Sequence, residues 1–340
     1  MNYQANPTDS DFEASGLSRL TTVNWQDEHH RRSITASLVQ GVYELEHARQ
    51  KNFQECKAWW EFFDYQLLDK LTDNIYSDSS IFGAIYEFTP KARNNYSIEA
   101  PTYVIAFRGT IMERHSFVRD MKLNIKILKN KLHRTSCIEK AIQAVKDKAS
   151  IHGATIWLAG HSLGSAIAMF AGKDMAKTGK FLTSYLFNPP FVAFPMKRGI
   201  LVAGTFMITA ALTVFIRDHE ERQHSENRFK ELRNWVPKLY LHESDPICTG
   251  YIRYFKLLER MQRYGVGVIG RLAAQNSLKG LFMEYFGMEY CSEELHLIPS
   301  ACVTTSCTPK RHAHDLSQWF RDDSVSDPKM YCYNNAEETV

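Results

Sequence analysis

The sequence predicts an α/β fold, a mainly parallel central sheet flanked by helices, with an apolar helical insertion. Three observations predict it. Between residues 81 and 187, short β-rich apolar runs alternate with helical stretches, the pattern of βαβ units. The chain has 340 residues, 44% hydrophobic and 23% charged, an ordinary globular composition with enough length for one large core. Finally, an apolar strand at 154–158 runs through a glycine-flanked turn straight into a small-residue helix at 162–176.

Taken in order, residues 1–16 form a polar tail and a single domain occupies 17–322, carrying an insertion at 189–236; a second tail covers 323–340. Residues 34–51 have the helical spacing of Leu38, Val42 and Leu45. The aromatic-rich stretch 59–71 reads as a second helix. Strands follow at 81–88 and 102–107, separated by the turn-like PKARNN. Residues 116–128 and 137–149 read as helices, and 181–187 as a strand broken by Asn188-Pro189-Pro190. After the uncharged segment 199–216 comes a highly charged helical stretch, 218–234. Then 238–242 is a strand entering the turn Glu243-Ser244-Asp245-Pro246, 251–264 a helix, 294–304 β-like and 314–321 a short helix. No linker divides the chain in two.

Charge and cysteine usage exclude several function classes. Forty-one basic residues against 38 acidic ones leave a net charge of only +3. Phosphate binding needs a concentrated basic surface, so nucleic acid is not an expected partner. The dense basic clusters, His29 to Arg32 and Lys126 to Arg134, are short enough to be solvated faces. Seven cysteines without a C-x-x-C pair argue against a zinc site or a disulfide framework and for a reducing compartment. The first twenty residues are polar and acidic, with no secretory signal, so a cytoplasmic location is expected.

The sharpest local signal is Gly160-His161-Ser162-Leu163-Gly164. About one random chain in ten of this length would carry such a G-x-S-x-G, so the letters alone decide little. The strand before it and the helix after it supply the strand–turn–helix context of a nucleophile elbow. Its glycines permit a sharp turn, and the helix N-terminus favours developing negative charge. A serine hydroxyl needs a base and an orienting carboxylate, which in α/β-hydrolases follow in the order Ser, Asp or Glu, His. Asp245, in the loop after the strand KLYLH, suits the carboxylate position; Glu243 and Asp218 compete less well. Beyond Asp245 lie only His296, His312 and His314. His296 sits in an alternating strand-like run. His312 and His314 both enter a short helix after a loop, and residue reasoning leaves the two open. For the oxyanion, Leu163 follows the nucleophile, while Arg108-Gly109-Thr110 ends an earlier strand where Thr110 offers an N–H and a hydroxyl.

The runs YVIAFRGT, AGHSLGSAIA, LHESDPI and AHDLSQWF together resemble the class 3 (fungal-type) lipase family. The likeness is strongest to its plant branch, to which NWQDEHHRRSITASLVQGVYELE and MKLNIKILKNKLHRT are also similar, and it covers residues 17–322. Some members of that branch carry the label GDSL esterase/lipase, although no Gly-Asp-Ser-Leu occurs in this chain. The resemblance implies an α/β-hydrolase fold, Ser162 as nucleophile, Asp245 as acid and His314 rather than His312 as base. It also implies Thr110 and Leu163 as oxyanion-hole residues, and a structural role for Asp120 in holding the oxyanion loop. The implied activity is hydrolysis of acyl-lipid esters through an acyl-enzyme, as a triacylglycerol lipase or phospholipase A1-like enzyme without metal or organic cofactor. The stretch from Asn188 to Val236 departs most from the family pattern and bears on the acyl-binding groove.

Residues 199–216, GILVAGTFMITAALTVFI, carry no formal charge. Eighteen residues reach the lower limit for a membrane span, yet Thr205, Thr209 and Thr213 fall on one helical face. A packed helix, a lid or lipid-surface helix, and a true span are the three readings, and the second implies peripheral contact with lipid. The rival to an enzyme is a catalytically silent lipase-like module that binds a lipid or a protein partner.

Overall fold

The computed structural model describes residues 23–51, 58–73, 80–90, 99–110, 136–191, 227, 231–263, 298–320 and 325–332. Among the described residues, eight strands form one sheet in sequential order. They are β1 (Tyr65–Asp73), β2 (Ser80–Phe88), β3 (Tyr103–Phe107), β4 (Ile156–His161), β5 (Thr183–Phe187), β6 (Lys238–His242), β7 (Ala301–Ser306) and β8 (Lys329–Tyr331). Strands β3 to β7 are mutually parallel, while β1, β2 and β8 complete the edges in antiparallel pairings. The five parallel strands are apolar almost throughout because both of their faces are covered. Ile105, Phe107, Leu158, Leu186, Leu239 and Leu241 point into one core, and Val104, Ala106, Ala159, Tyr185, Phe187 and Tyr240 into the other.

The first core is closed by helices α2 (Ser136–Ala149), α3 (Leu163–Lys177) and α4 (Thr249–Arg263). The second is closed by α1 (Glu28–Gln50) and by the short 3-10 turn Leu316–Trp319. Asp27 caps α1 by accepting the His29 N–H at 2.8 Å, and Ile34, Leu38, Val42 and Leu45 form its buried stripe. Glu28, in the first turn of α1, accepts from Tyr240 at 2.8 Å and pairs with Lys238, tying the helix to β6. The expected α/β class with a mainly parallel sheet is therefore what the chain forms.

One expected element is wrong. Residues 59–71 are not a helix: a 3-10 turn, Trp59–Phe63, ends at Asp64 in the left-handed region (φ 58°), and β1 follows. The spacing of Leu67, Leu68 and Leu71 imitates a helix face, but the backbone takes its hydrogen bonds from β2. Two register irregularities, at Leu67/Asp69 and Leu71/Thr72, break the alternation by which a strand would have been recognised. Smaller differences follow the same logic. Helix α1 begins six residues earlier than its apolar spacing, because the Asp27 cap extends it through a polar turn. The expected helix at 314–321 is only a 3-10 turn, Leu316–Trp319. Residues 116–128, Asp120, His296, the insertion's core at 199–216 and the terminal tails at 1–16 and 333–340 lie outside the described residues. Among the described residues, no helix is long and apolar enough to cross a membrane, and no group of His, Cys, Asp and Glu is placed to hold a metal ion.

Candidate active site

The carboxyl ends of the five parallel strands lie along one edge of the sheet, and each delivers residues to the same place. Strand β3 ends in Arg108-Gly109-Thr110, β4 in His161-Ser162, β5 in Asn188, β6 in the turn carrying Asp245, and β7 in the loop carrying His314.

Ser162 sits between β4 and α3 with φ 53° and ψ −121°, a strained conformation for a residue with a side chain. The glycines of the motif are there because α3 approaches the sheet closely. A Cβ on Gly160 would collide with the backbone of Gly164, and one on Gly164 with the carbonyl of Phe107. Ser165 holds the turn from inside, its hydroxyl reaching the Gly160 and Phe187 carbonyls at 2.6 and 2.8 Å. Gly109 lies directly against the elbow, since a Cβ there would come within 2.9 Å of the Ser162 Cβ. Leu163 is the first residue of α3 and half-buried, so its N–H stands at the positive end of the helix dipole; Thr110, next to Gly109, is exposed.

Asp245 is fully buried. Its Oδ2 accepts from His314 Nδ1 at 2.8 Å and from Asn188 Nδ2 at 2.8 Å, and its Oδ1 accepts from the Ile247 N–H at 2.9 Å. Burial alone would raise this carboxyl. The hydrogen bond from His314, the charge of that ring, and the bonds from Ile247 and Asn188 outweigh it and hold Asp245 below the usual carboxylate range. Because a carboxylate can only accept, Nδ1 of His314 carries the proton and Nε2 is its basic nitrogen. His312 is elsewhere: half exposed, it pairs with Asp315 at 2.7 Å. Of the two histidines that residue reasoning left open, the structure brings His314 to Asp245.

Four contributors escaped sequence reasoning. Asn188 is fully buried at φ 47° and uses its whole amide. Its Nδ2 donates to Asp245 and, at 2.9 Å, to the carbonyl of Ala313, next to His314; its Oδ1 accepts from Trp319 Nε1 at 2.8 Å. In the sequence it was only the residue that stops a strand, although asparagine is the non-glycine side chain that best tolerates the left-handed region. Tyr43, on α1, accepts the Gly109 N–H at 2.7 Å and contacts His161 Nδ1 at 2.8 Å. His161 is buried, and its Nε2 reaches the His314 carbonyl at 2.9 Å. Burial, and next the charge of His314, lower the His161 ring to about 3, so it is neutral.

The fourth contributor is Arg108, whose guanidinium donates to the Ile81 carbonyl and Ser80 hydroxyl at 2.6 Å and to the Gly109 carbonyl at 2.7 Å. Glu46 lies 3.7 Å from it. Burial would raise the Glu46 carboxyl, but bonds from Arg49, the Ile81 N–H and Gln50, with the Arg108 charge, bring it down to about 2. The strand end that carries Gly109 is thus anchored on both sides.

The chain itself is similar in sequence to lipases and esterases. The sequence model of the family described as Lipase (class 3) matches residues 104–194, the span from β3 past Asn188. A protein of Arabidopsis thaliana named as a GDSL esterase/lipase is 36% identical over 351 residues, covering 95% of this chain and 98% of that protein. Among solved structures, a lipase from Rhizopus microsporus var. chinensis is 14% identical and covers 69% of this chain and 68% of its own, with a TM-score of 0.33. A fungal esterase structure from Rhizomucor miehei is 12% identical and covers 84% of this chain and 99% of its own, with a TM-score of 0.29.

Proposed function

The chain belongs to the class 3 lipase family, and on that premise we propose that it is a serine carboxylester hydrolase cleaving acyl-lipid esters through an acyl-enzyme. The observation that carries this reading is the 2.8 Å bond from His314 Nδ1 to buried Asp245, formed by the loops after β6 and β7 at the strand edge where β4 presents Ser162.

In this reading His314 Nε2 takes the hydroxyl proton as Ser162 Oγ attacks the ester carbonyl. The new oxyanion is stabilised by the N–H groups of Leu163 and Thr110, each such donor contributing about 3–4 kcal/mol. As the tetrahedral intermediate collapses, the alkoxide takes the proton from His314 and leaves as the alcohol. Water then attacks the acyl-enzyme, giving its proton to His314; collapse returns that proton to Ser162 Oγ and releases the carboxylic acid. Asp245 keeps its negative charge throughout and stabilises the imidazolium that forms twice per cycle. In this reading the domain at 17–322 carries the chemistry. Triacylglycerol and phospholipid sn-1 esters are the two substrate classes to compare.

The test is hydrolysis of short-chain p-nitrophenyl esters by the wild type and Ser162→Ala, with a serine-reactive fluorophosphonate probe alongside. Loss of at least about a thousandfold in rate, with loss of labelling, is expected. Equal rates reject Ser162 as nucleophile, and a wild type that neither hydrolyses nor labels identifies a silent binding module instead. Contact of residues 199–216 with lipid is tested separately by liposome co-sedimentation, and binding unchanged by deleting them rejects it.

A further inference from the structure

Three hydrogen bonds join the two loops that must act together on one carbonyl. The Gly109 N–H donates to Tyr43 Oη at 2.7 Å, Tyr43 and His161 Nδ1 are 2.8 Å apart, and His161 Nε2 is 2.9 Å from the His314 carbonyl. Both ends of this chain have fixed polarity, because an amide N–H can only donate and a carbonyl can only accept. Tyr43 Oη, accepting from Gly109, therefore gives its single proton to His161 Nδ1. That leaves the ring proton of His161 on Nε2, donating to the His314 carbonyl. No other assignment satisfies all three contacts with a neutral ring.

The path matters because of what it spans. Gly109 follows β3 and His314 follows β7, strands separated in the sheet by β4, β5 and β6. The sheet itself does not fix those loops relative to each other. Tyr43 reaches across from α1, and His161 is the last residue of β4, one position before Ser162. Its ring lies 5.9 Å from the Tyr43 ring and 5.0 Å from the His314 ring. On the far side of Gly109, Arg108 Nη1 holds the Gly109 carbonyl at 2.7 Å. That carbonyl and the Thr110 N–H belong to one planar trans peptide and point in opposite directions. Tyr43 and Arg108 together therefore set how the Thr110 N–H is aimed.

We propose that Tyr43 and His161 are positioning residues, a relay that holds the oxyanion-forming strand end at Gly109 in register with the base-carrying loop at His314. This inference rests on the catalytic reading of Ser162, Asp245 and His314 given above. In this proposal His161 acts through the His314 carbonyl and Tyr43 through the Gly109 backbone that leads to the Thr110 N–H. The relay accordingly affects the transition state, where oxyanion donors and base must be aligned at once, and leaves ground-state binding of the ester unchanged.

The test uses the full chain, p-nitrophenyl butyrate as substrate and phenylboronic acid as the tetrahedral-adduct mimic, in Tyr43→Phe, His161→Phe and the double variant. Each single change is expected to lower kcat by about 10- to 30-fold, a fraction of what a missing oxyanion donor costs, with KM within about twofold. The inhibition constant of phenylboronic acid should rise by a similar factor. Breaking either bond breaks the relay, so the double variant should be no slower than about twice the worse single one. Independent roles would multiply, to about 100-fold or more. A kcat within twofold of wild type, losses that multiply, or a change confined to KM would each overturn the relay. With a Ser162→Ala control, a retained rate removes the catalytic reading and the relay with it, whereas a Ser162-dependent rate that Tyr43→Phe leaves intact overturns the relay alone. Should the ring substitutions fail to fold, nitrogen NMR of the histidine-labelled wild type reads the same geometry. The Nε2–H tautomer of His161 is expected, and an Nδ1–H tautomer would overturn it.

Discussion

Replacing Asn188 with alanine removes three short hydrogen bonds and a longer one to Cys248 Sγ at one fully buried site, and the structure allows the cost to be divided. The Trp319 indole N–H loses its acceptor at 2.8 Å and stays buried, which costs about 1–3 kcal/mol. Ala313 keeps Gln318 Nε2 at 3.0 Å, so its carbonyl is not orphaned. Asp245 keeps His314 and the Ile247 N–H, losing one donor of three. Alanine must also hold φ near 47°, adding about 1–2 kcal/mol, whereas glycine adopts that conformation freely. The sum is about 2–5 kcal/mol for Asn188→Ala, with Asn188→Gly about 1 kcal/mol milder. Urea unfolding followed by tryptophan fluorescence, with the slope compared across variants, measures both. If Ala and Gly variants both fall within about 0.5 kcal/mol of the wild type, the amide is not holding this site, and the account of Asp245 above is wrong. Asn188→Asp adds a pH signature. The introduced carboxylate would face Asp245, so its pKa rises in the folded state; the variant's deficit should be full at pH 7 and shrink as pH falls towards about 4.

Two further outcomes follow from close packing and from burial. Gly164→Ala forces a methyl into the Phe107 carbonyl and should cost about 3 kcal/mol or more, read as lost soluble yield or a lower unfolding midpoint. Gly153→Ala, where φ is 76° and nothing lies within 4 Å, should cost only about 1–2 kcal/mol. His161 is neutral when folded, lowered to about 3 by burial and then by the His314 charge, while its unfolded counterpart titrates at 6.5. Between those values the unfolded chain binds one more proton, so its contribution is complete above pH 6.5 and is lost at about 1.4 kcal/mol per pH unit as the solution is acidified. The difference in unfolding free energy between the wild type and His161→Phe should show that slope from pH 6.5 to 4.5, and a flat difference would refute it.

What the sequence disclosed and what it hid divide along physical lines. The parallel strands were legible because burial on both faces leaves near-continuous apolar runs, and the elbow because glycine spacing is a local requirement. Strand β1 was hidden since an edge strand is specified by its partner, here β2, more than by its own alternation. Tyr43 and Asn188 were hidden for a different reason. Tyr43 bonds a residue 118 positions away and Asn188 one 131 away, and no local pattern encodes either pairing. Each looked ordinary where it stood, one on a helix and the other before two prolines.

The same distinction separates residues proposed to react from those that support them. Nucleophile, acid and base are chosen by what their atoms can do, which restricts them to a few residue types and to loops at strand ends. A support is chosen by hydrogen-bond polarity and reach. Asn188 serves because one planar amide offers two donors and an acceptor, matching a carboxylate, a carbonyl and an indole around it. Asp has no second donor and Gln has one methylene too many for the same three partners. Likewise, at the position just before the serine of G-x-S-x-G, a neutral imidazole accepts on one side and donates on the other. The residue at that position is therefore set by Tyr43 and the His314 carbonyl, so exchanging Tyr43 for phenylalanine should remove the reason for a histidine at 161 as well.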